Sequence, residues 1–444
     1  MKLNKKIKRR SFLKTSSLLS LSFLTTPFNQ KMFLFSEPLS KKNMGLRKDI
    51  NKIIDLHSSL EYNIISTSGS IMSDGFKVPQ KPDGMASFRG NGKTIIIRNH
   101  ELRKGHGIKS SAFLNGYKDI NNLGNKHYDP SAFGGTTNLI YDEVNKKTIS
   151  EFLSLSGTEA NCAGGATPWG TWLTCEESVN EKNTKEKPHG YVFEVFPNYK
   201  KGLQKARPLK RLGRFNHEAV AFDINGNAYL TEDRTDGLFY KFMPKNKGDL
   251  TEGKLYALGF ASSVKSDTRN WETLTYKIKE KHNVKWIHLK DVDPKQDTLR
   301  EEGINKGASI FARGEGIISD SNSIYFSCTT GGKNYKGQIW KLNYDKNETL
   351  ELWYESLNEN DINMPDNITI SPWGDLIICE DNSDINRIWG ISKKGKPYII
   401  AENSYSGSEF AGVCFSPSGK TMFFNLQSNG QTFAVTGNWE KLYS

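Results

Sequence analysis

Cysteine is scarce in this chain of 444 residues: five, an odd number. Cys162, Cys175, Cys328, Cys379 and Cys414 are widely spaced and form no CxxC, which argues against a disulfide framework. Three of them lie in strand-like apolar runs (IYFSC, LIIC, GVCF) and read as small buried hydrophobes. Long amphipathic helical patterns are few, which excludes an all-helical fold. There is no Walker loop, no GxGxxG opening a helix, no GxSxG elbow and no HExxH, so serine-nucleophile and nucleotide-cofactor chemistries lose their usual signatures. Acidic residues are absent from positions 1–30, whereas positions 1–14 carry seven basic ones. Setting those seven aside takes the formal charge from +12 to +5, and the remainder is scattered without a basic stripe beside aromatics. No nucleic-acid footprint is therefore expected.

The first thirty residues read as an address. Arg9-Arg10-Ser11-Phe12-Leu13-Lys14 precedes a weakly apolar stretch whose core, Leu18–Leu24, is too short for a stable membrane anchor. This is the pattern of a twin-arginine (Tat) export signal over 1–30, followed by a single domain over 31–444. The partners expected are the Tat translocon during export and a small substrate. The expected location is periplasmic or secreted, and the expected state a monomer.

The body repeats one unit: an apolar run, a turn, a second apolar run, then polar residues. The turns fall at Gly92, Gly170, Gly226, Gly374 and Gly419, with Asn322 in a sixth copy. β-branched and aromatic runs around Gly or Asn are hairpins. Recurrence at about 45–55 residues is the period of propeller blades. The expected fold is all-β, a six-bladed β-propeller with loop and short-helix insertions around 103–150 and 262–305.

Fixed offsets within the repeat carry the chemistry. Six and seven residues after the turn, three copies have an acidic pair: Glu176/Glu177, Glu232/Asp233 and Glu380/Asp381. Eight before it lie Cys162, Glu218 and Asp366, and seven before Asn322 lies Glu315. Both offsets fall at the same end of a hairpin, which in a propeller rims the central channel. Converging carboxylates require cations; oxygen ligands suit Ca²⁺, and a thiolate adds a transition-metal ligand. Arg313, two residues before Glu315, shares its facing and suits an anionic substrate. His100 and His217, each in an Asn-His-Glu triplet, read as buried hydrogen-bonders. A Ca²⁺-dependent propeller lactonase or arylesterase using Asn99, Asn367 and His217 is an alternative that needs no thiolate.

The segments NCAGGATPWGTWLTCEE (161–177), GRFNHEAVAFD (213–223), FARGEGI (311–317) and MPDNITISPWGDLIICEDN (364–382) resemble the PhoX-type secreted alkaline phosphatases. The resemblance implies hydrolysis of phosphate monoesters at a channel cluster of two iron and two or three calcium ions. By motif, Cys162 resembles the iron-ligating thiolate, Glu218, Glu315 and Asp366 the metal carboxylates, and Arg313 the phosphate-contacting arginine. The pairs Glu176/Glu177, Glu232/Asp233 and Glu380/Asp381 enter as candidates, with the ligating member of each left open.

Overall fold

In a computed structural model, all six hairpins form at the positions the repeat marks. Their inner and second strands are Pro82–Gly90 with Lys93–His100, Asn161–Ala166 with Trp172–Glu176, His217–Phe222 with Ala228–Glu232, Gly314–Ser319 with Ser323–Cys328, Pro365–Ile370 with Leu376–Glu380, and Phe410–Phe415 with Met422–Leu426. The residues described are 45–180, 186–197, 202–262, 266–345, 347–358 and 360–442, which fall in one compact unit. The expected signal, 1–30, lies outside them.

Each second strand is a run such as Thr94–Ile97 or Leu376–Cys379, buried on both faces. That burial explains why these runs are continuously apolar rather than alternating. They feed cores between neighbouring sheets, for example Ile377, Cys379 and Ile388 against Phe410, Phe424 and Phe433. Truncating one such residue to Ala costs about 2–5 kcal/mol.

The architecture is an all-β, propeller-like one, and the strands pair antiparallel throughout the named sheets. The sheets number five rather than six: two of four strands and one each of three, six and nine. The nine-stranded sheet contains two of the expected meanders. Strand Lys281–His288, from the second insertion, pairs with Gly253–Phe260 on one side and Thr349–Glu355 on the other, and so fuses them. The first insertion supplies helix Tyr117–Leu123 and the second helix Leu299–Asn305. Near the start of the described chain, Leu60–Thr67 pairs with Gln431–Gly437 near its end, so the C-terminal sheet is completed by an N-terminal strand.

The inner strands pack edge to edge around an axis, with almost no room between them. A methyl group on Gly165 would lie 1.8 Å from the carbonyl oxygen of Val220 on the next inner strand. One on Gly412, whose φ is +66°, would lie 2.2 Å from that of Asp83. Only glycine fits at such points. Gly165, beside Cys162, thus serves strand packing.

A channel lined by bulged carboxylates

Every inner strand carries the same irregularity. The register of its hairpin slips between Pro82 and Met85, Asn161 and Gly164, His217 and Val220, Gly314 and Ile317, Pro365 and Ile368, and Ala411 and Cys414. A bulge sets two residues against one and re-aims a side chain. The first residue in the six bulges is Asp83, Cys162, Glu218, Glu315, Asp366 or Gly412. Two residues earlier, Lys81, Ala160, Arg313 and Met364 hold φ between +49° and +55°, a left-handed backbone uncommon for residues with a Cβ. Their carbonyls accept bonds from the amides of Glu101 (2.8 Å), Glu177 (2.8 Å), Thr329 (3.0 Å) and Asp381 (3.1 Å). Asn216 and Glu409 do the same for Asp233 (3.2 Å) and Gln427 (3.3 Å). The repeat therefore builds two tiers at one end of the channel: the bulge residues, and above them Glu101, Glu177, Asp233, Thr329, Asp381 and Gln427.

The tiers bring ligand-type atoms together in four linked groups. Asp83, Glu101 and Cys162 form one; Cys162, Glu177 and Glu218 the next; then Glu218, Glu315 and Asp366; then Asp366, Asp381 and Glu409. Within each group the atoms lie within 4.8 Å of one another. Cys162, Glu218 and Asp366 are shared between neighbours, so the groups run as a chain across the channel. Several acidic groups are thus positioned to hold metal ions.

The electrostatics are those of like charges out of water. Burial, then Glu315 and Glu177, push the Glu218 carboxyl well above its usual range. Burial, then Asp381, bring Asp366 up to about 8. Burial, then Asp83 and Glu218, raise the Cys162 thiol. Asp83, Glu177, Glu315 and Glu409 are raised for the same reasons. Both carboxylate oxygens of Glu218 are buried without a hydrogen-bond partner among the described residues. A buried carboxylate in that state is costly unless a cation meets it. The donor set of carboxylates plus one thiol at shared vertices fits a multi-ion cluster.

Two arginines brace the upper tier. Arg313 donates from Nε and Nη2 to the two carboxylate oxygens of Asp233 at 2.8 and 3.1 Å, and from Nη2 to Glu315 as well. Arg103, which sequence reasoning did not single out, joins Glu101 at 2.8 Å to Glu177. Gln427 donates to Asp83 at 2.5 Å and to Glu101 at 2.8 Å.

The acidic pairs resolve by strand alternation. Glu177, Asp233 and Asp381 face the channel, while Glu176, Glu232 and Glu380 turn into the sheets, outside the four groups. Glu176 accepts from the amides of Glu159, Gly190 and Tyr191 and pairs with His189 at 2.7 Å. Glu232 takes the amide of Leu238, the Tyr240 hydroxyl and Arg300. Glu380 takes the amide of Asn363 and the Trp389 indole at 2.7 Å each. Three channel acids, Asp83, Glu101 and Glu409, lie outside the offsets used in the sequence. The first hairpin has longer arms, which moves its channel residues to nine before and nine after Gly92. Fixed offsets there land on Gly84 and on Arg98/Asn99. Of the other marked residues, Asn99 is spent on the carbonyls of Cys162 and Ala163 and on the Trp172 indole. His100 bonds Gln80 and Thr137. His217 stacks on Phe215 at 3.6 Å and bonds Gly213.

Comparison with known proteins bears on the fold and the family. PhoX from Pseudomonas fluorescens, solved in complex with vanadate, a transition state analogue, matches with a TM-score of 0.65 at 17% identity over 87% of this chain and 96% of that one. Virginiamycin B lyase from Staphylococcus aureus (TM-score 0.38, 12% identity, 85% and 99%) and a gluconolactonase from Xanthomonas campestris (0.37, 9%, 84% and 95%) are also similar. No curated protein matches the sequence. Residues 139–430, about two thirds of the chain and most of the channel, match the family described as alkaline phosphatase PhoX, and the chain belongs to that family of phosphatases.

Proposed function

We propose that the chain hydrolyses phosphate monoesters at a cluster of four or five cations held in the channel. The observation that carries this reading is Glu218, whose two oxygens are buried and unpartnered at the centre of the four groups. Cys162, Glu177 and Glu218 would hold the iron pair, since the thiolate favours a transition metal. Asp83 with Glu101, Glu315 with Asp366, and Asp381 with Glu409 would hold calcium. Bound there, the cations would supply charge neutralisation at the phosphoryl oxygens and activation of water.

The chain's own residues orient the ester. Asp233 and Glu315 fix the Arg313 guanidinium in one plane. Its Nη1 would donate to a phosphoryl oxygen. Held before the substrate arrives, that donor needs no reorganisation during reaction. Six inner strands follow one another around the axis, which supports a count of six blades with Lys281–His288 as an added bridging strand. The paired arginines of the first thirty residues support Tat export of the folded protein to the periplasm or beyond. No helix among the described residues is long and apolar enough to cross a membrane. The lactonase alternative loses two of its three residues, since Asn99 and His217 are committed within the sheets.

The test is turnover of p-nitrophenyl phosphate from neutral to alkaline pH by protein isolated through its own export route, with elemental analysis of the same sample. Turnover with about two irons per chain and calcium is the expected result. Calcium without iron, or metal-replete protein without turnover, overturns it.

A further inference from the structure

The upper tier is not uniformly acidic. Thr329 stands where its neighbours in the tier, Asp233 and Asp381, carry charge. Its amide bonds the carbonyl of Arg313 at 3.0 Å, so this uncharged sector adjoins the channel's braced guanidinium. An anion approaching a crown of carboxylates meets least repulsion here. The Gln427 sector is also neutral, and its side chain is tied to Asp83, Glu101 and Lys81, as the Thr329 hydroxyl is to the carbonyl of Pro365 at 2.8 Å; the Thr329 sector differs in adjoining Arg313.

Beside Thr329 the second insertion delivers an aromatic stack. The Trp271 indole donates to the carbonyl of Thr330 at 2.6 Å. The Arg269 guanidinium covers its ring at 4.1 Å and is gripped by Asp267, with Nε to Oδ1 at 2.8 Å and Nη2 to Oδ2 at 2.5 Å. Arg269 also donates to the carbonyl of Thr235, two residues beyond Asp233, at 3.2 Å. Tyr335 lies 5.2 Å from Trp271 with the two planes 40° apart, and it is 48% exposed. Trp271 is thus fixed from three directions, while the ring against it opens to solvent. Anchored aromatics half in water are suited to stacking planar groups.

We propose that Trp271 and Tyr335 form a leaving-group platform beside Arg313, selecting phosphomonoesters whose alcohol carries a planar ring, either an aryl alcohol or a nucleoside. This rests on the phosphomonoesterase reading above. The phosphoryl group sits at Arg313, the ring stacks on the solvent-open side of Tyr335, which Trp271 backs, and water takes the alcohol's place on phosphorus while the alcohol leaves along that sector with a proton from that water.

The experiment compares kcat/KM for p-nitrophenyl phosphate, adenosine 5′-monophosphate and glycerol 2-phosphate in wild type, Trp271→Leu and Tyr335→Ser. Leaving-group reactivity cancels when each substrate is compared with itself between proteins. The expected result is a roughly tenfold fall in the planar-to-glycerol ratio for both variants, carried mainly by KM. A fall confined to one planar substrate assigns the platform to that class. A ratio within twofold of wild type overturns the platform. If Trp271→Leu does not fold, Tyr335→Ser, changed at an exposed side chain, decides alone. A wild type that turns over none of the three substrates sinks the phosphatase reading instead, so the two failures are distinct.

Discussion

Glu232 and Asp233 are neighbours in sequence and opposites in environment. Glu232 lies inside a sheet, where an amide, a phenol and Arg300 surround it. Asp233 lies in the channel among other acids, braced by Arg313. The same contrast separates Glu176 from Glu177 and Glu380 from Asp381. A strand's period of two puts consecutive side chains on opposite faces, so one residue of displacement decides whether a carboxylate holds the fold or crowds the channel. The sheet-facing acids are bonded mainly by their own sheets, although Glu380 keeps one buried oxygen without a partner, whereas Glu218 at the middle of the channel has no protein partner on either oxygen.

The largest effect expected from breaking this contrast is at Glu218. Glu218→Gln should lower kcat/KM by about a thousandfold or more, with metal content reduced in elemental analysis. The metal-free variant should melt at or above the metal-free wild type, because it removes one buried repulsion. A metal-free variant that melts well below wild type would place Glu218 among the structural acids.

Metal removal should expose the crowding directly. In the metal-free protein Asp366 has its pKa raised to about 8 against an ordinary value near 3.8. Between those values the folded form binds the extra proton, so stability should fall as pH rises from about 4 toward 8 and level off above. The metal-loaded protein should show the opposite trend in the acid range, since protons compete for the ligands. Melting curves with and without chelator across pH 5–9 check both.

Within the sheets the effect should move from activity to stability. Glu232→Ala leaves Arg300 and the Tyr240 hydroxyl without their buried acceptor and should cost about 3–5 kcal/mol in denaturant melts. Activity per folded, metal-replete molecule should change by less than threefold.

The smallest effect is a slope. His189 is buried between Glu176 at 2.7 Å and Asp129 at 3.1 Å. Burial opposes its charge, but Glu176 and Asp129 outweigh that and raise its pKa to about 10. Its contribution is fully present below the unfolded value near 6.5 and is lost as pH rises through 10. Wild-type Tm should therefore fall between pH 7 and 10 more steeply than that of His189→Gln. Equal slopes would show that the imidazole is not charged there.

Much of this was legible from composition and spacing. Six hairpins were readable because apolar runs and turn residues recur. Glu218 and Asp366 stand at one offset because their hairpins share one length, Glu315 stands one residue nearer its turn, and Glu177 stood in a pair whose channel-facing member spacing alone left open. Asp83 and Glu101 were not readable, because counting started at the turn while the chemistry sits at the other end, and the first hairpin has longer arms. Glu409 precedes a bulge whose own first residue, Gly412, has no side chain, so no offset points to it. Arg103 gave no signal because its role lies in bridging Glu101 to Glu177, a contact between separate strands. The fused nine-stranded sheet was hidden for the same reason: Lys281–His288 finds partners on both sides only in three dimensions.

The seam where the chain closes on itself has a consequence in time. Asp83 adjoins Gly412, and Glu409 shares a group with Asp366 and Asp381. Beyond them, Gln431–Gly437 must still emerge before Leu60–Thr67 can be captured. A nascent chain from which that strand has not emerged cannot yet close the ring of acids. The ring therefore closes late, and a chain lacking Gln431–Gly437 would carry every channel acid yet leave Leu60–Thr67 without its partner.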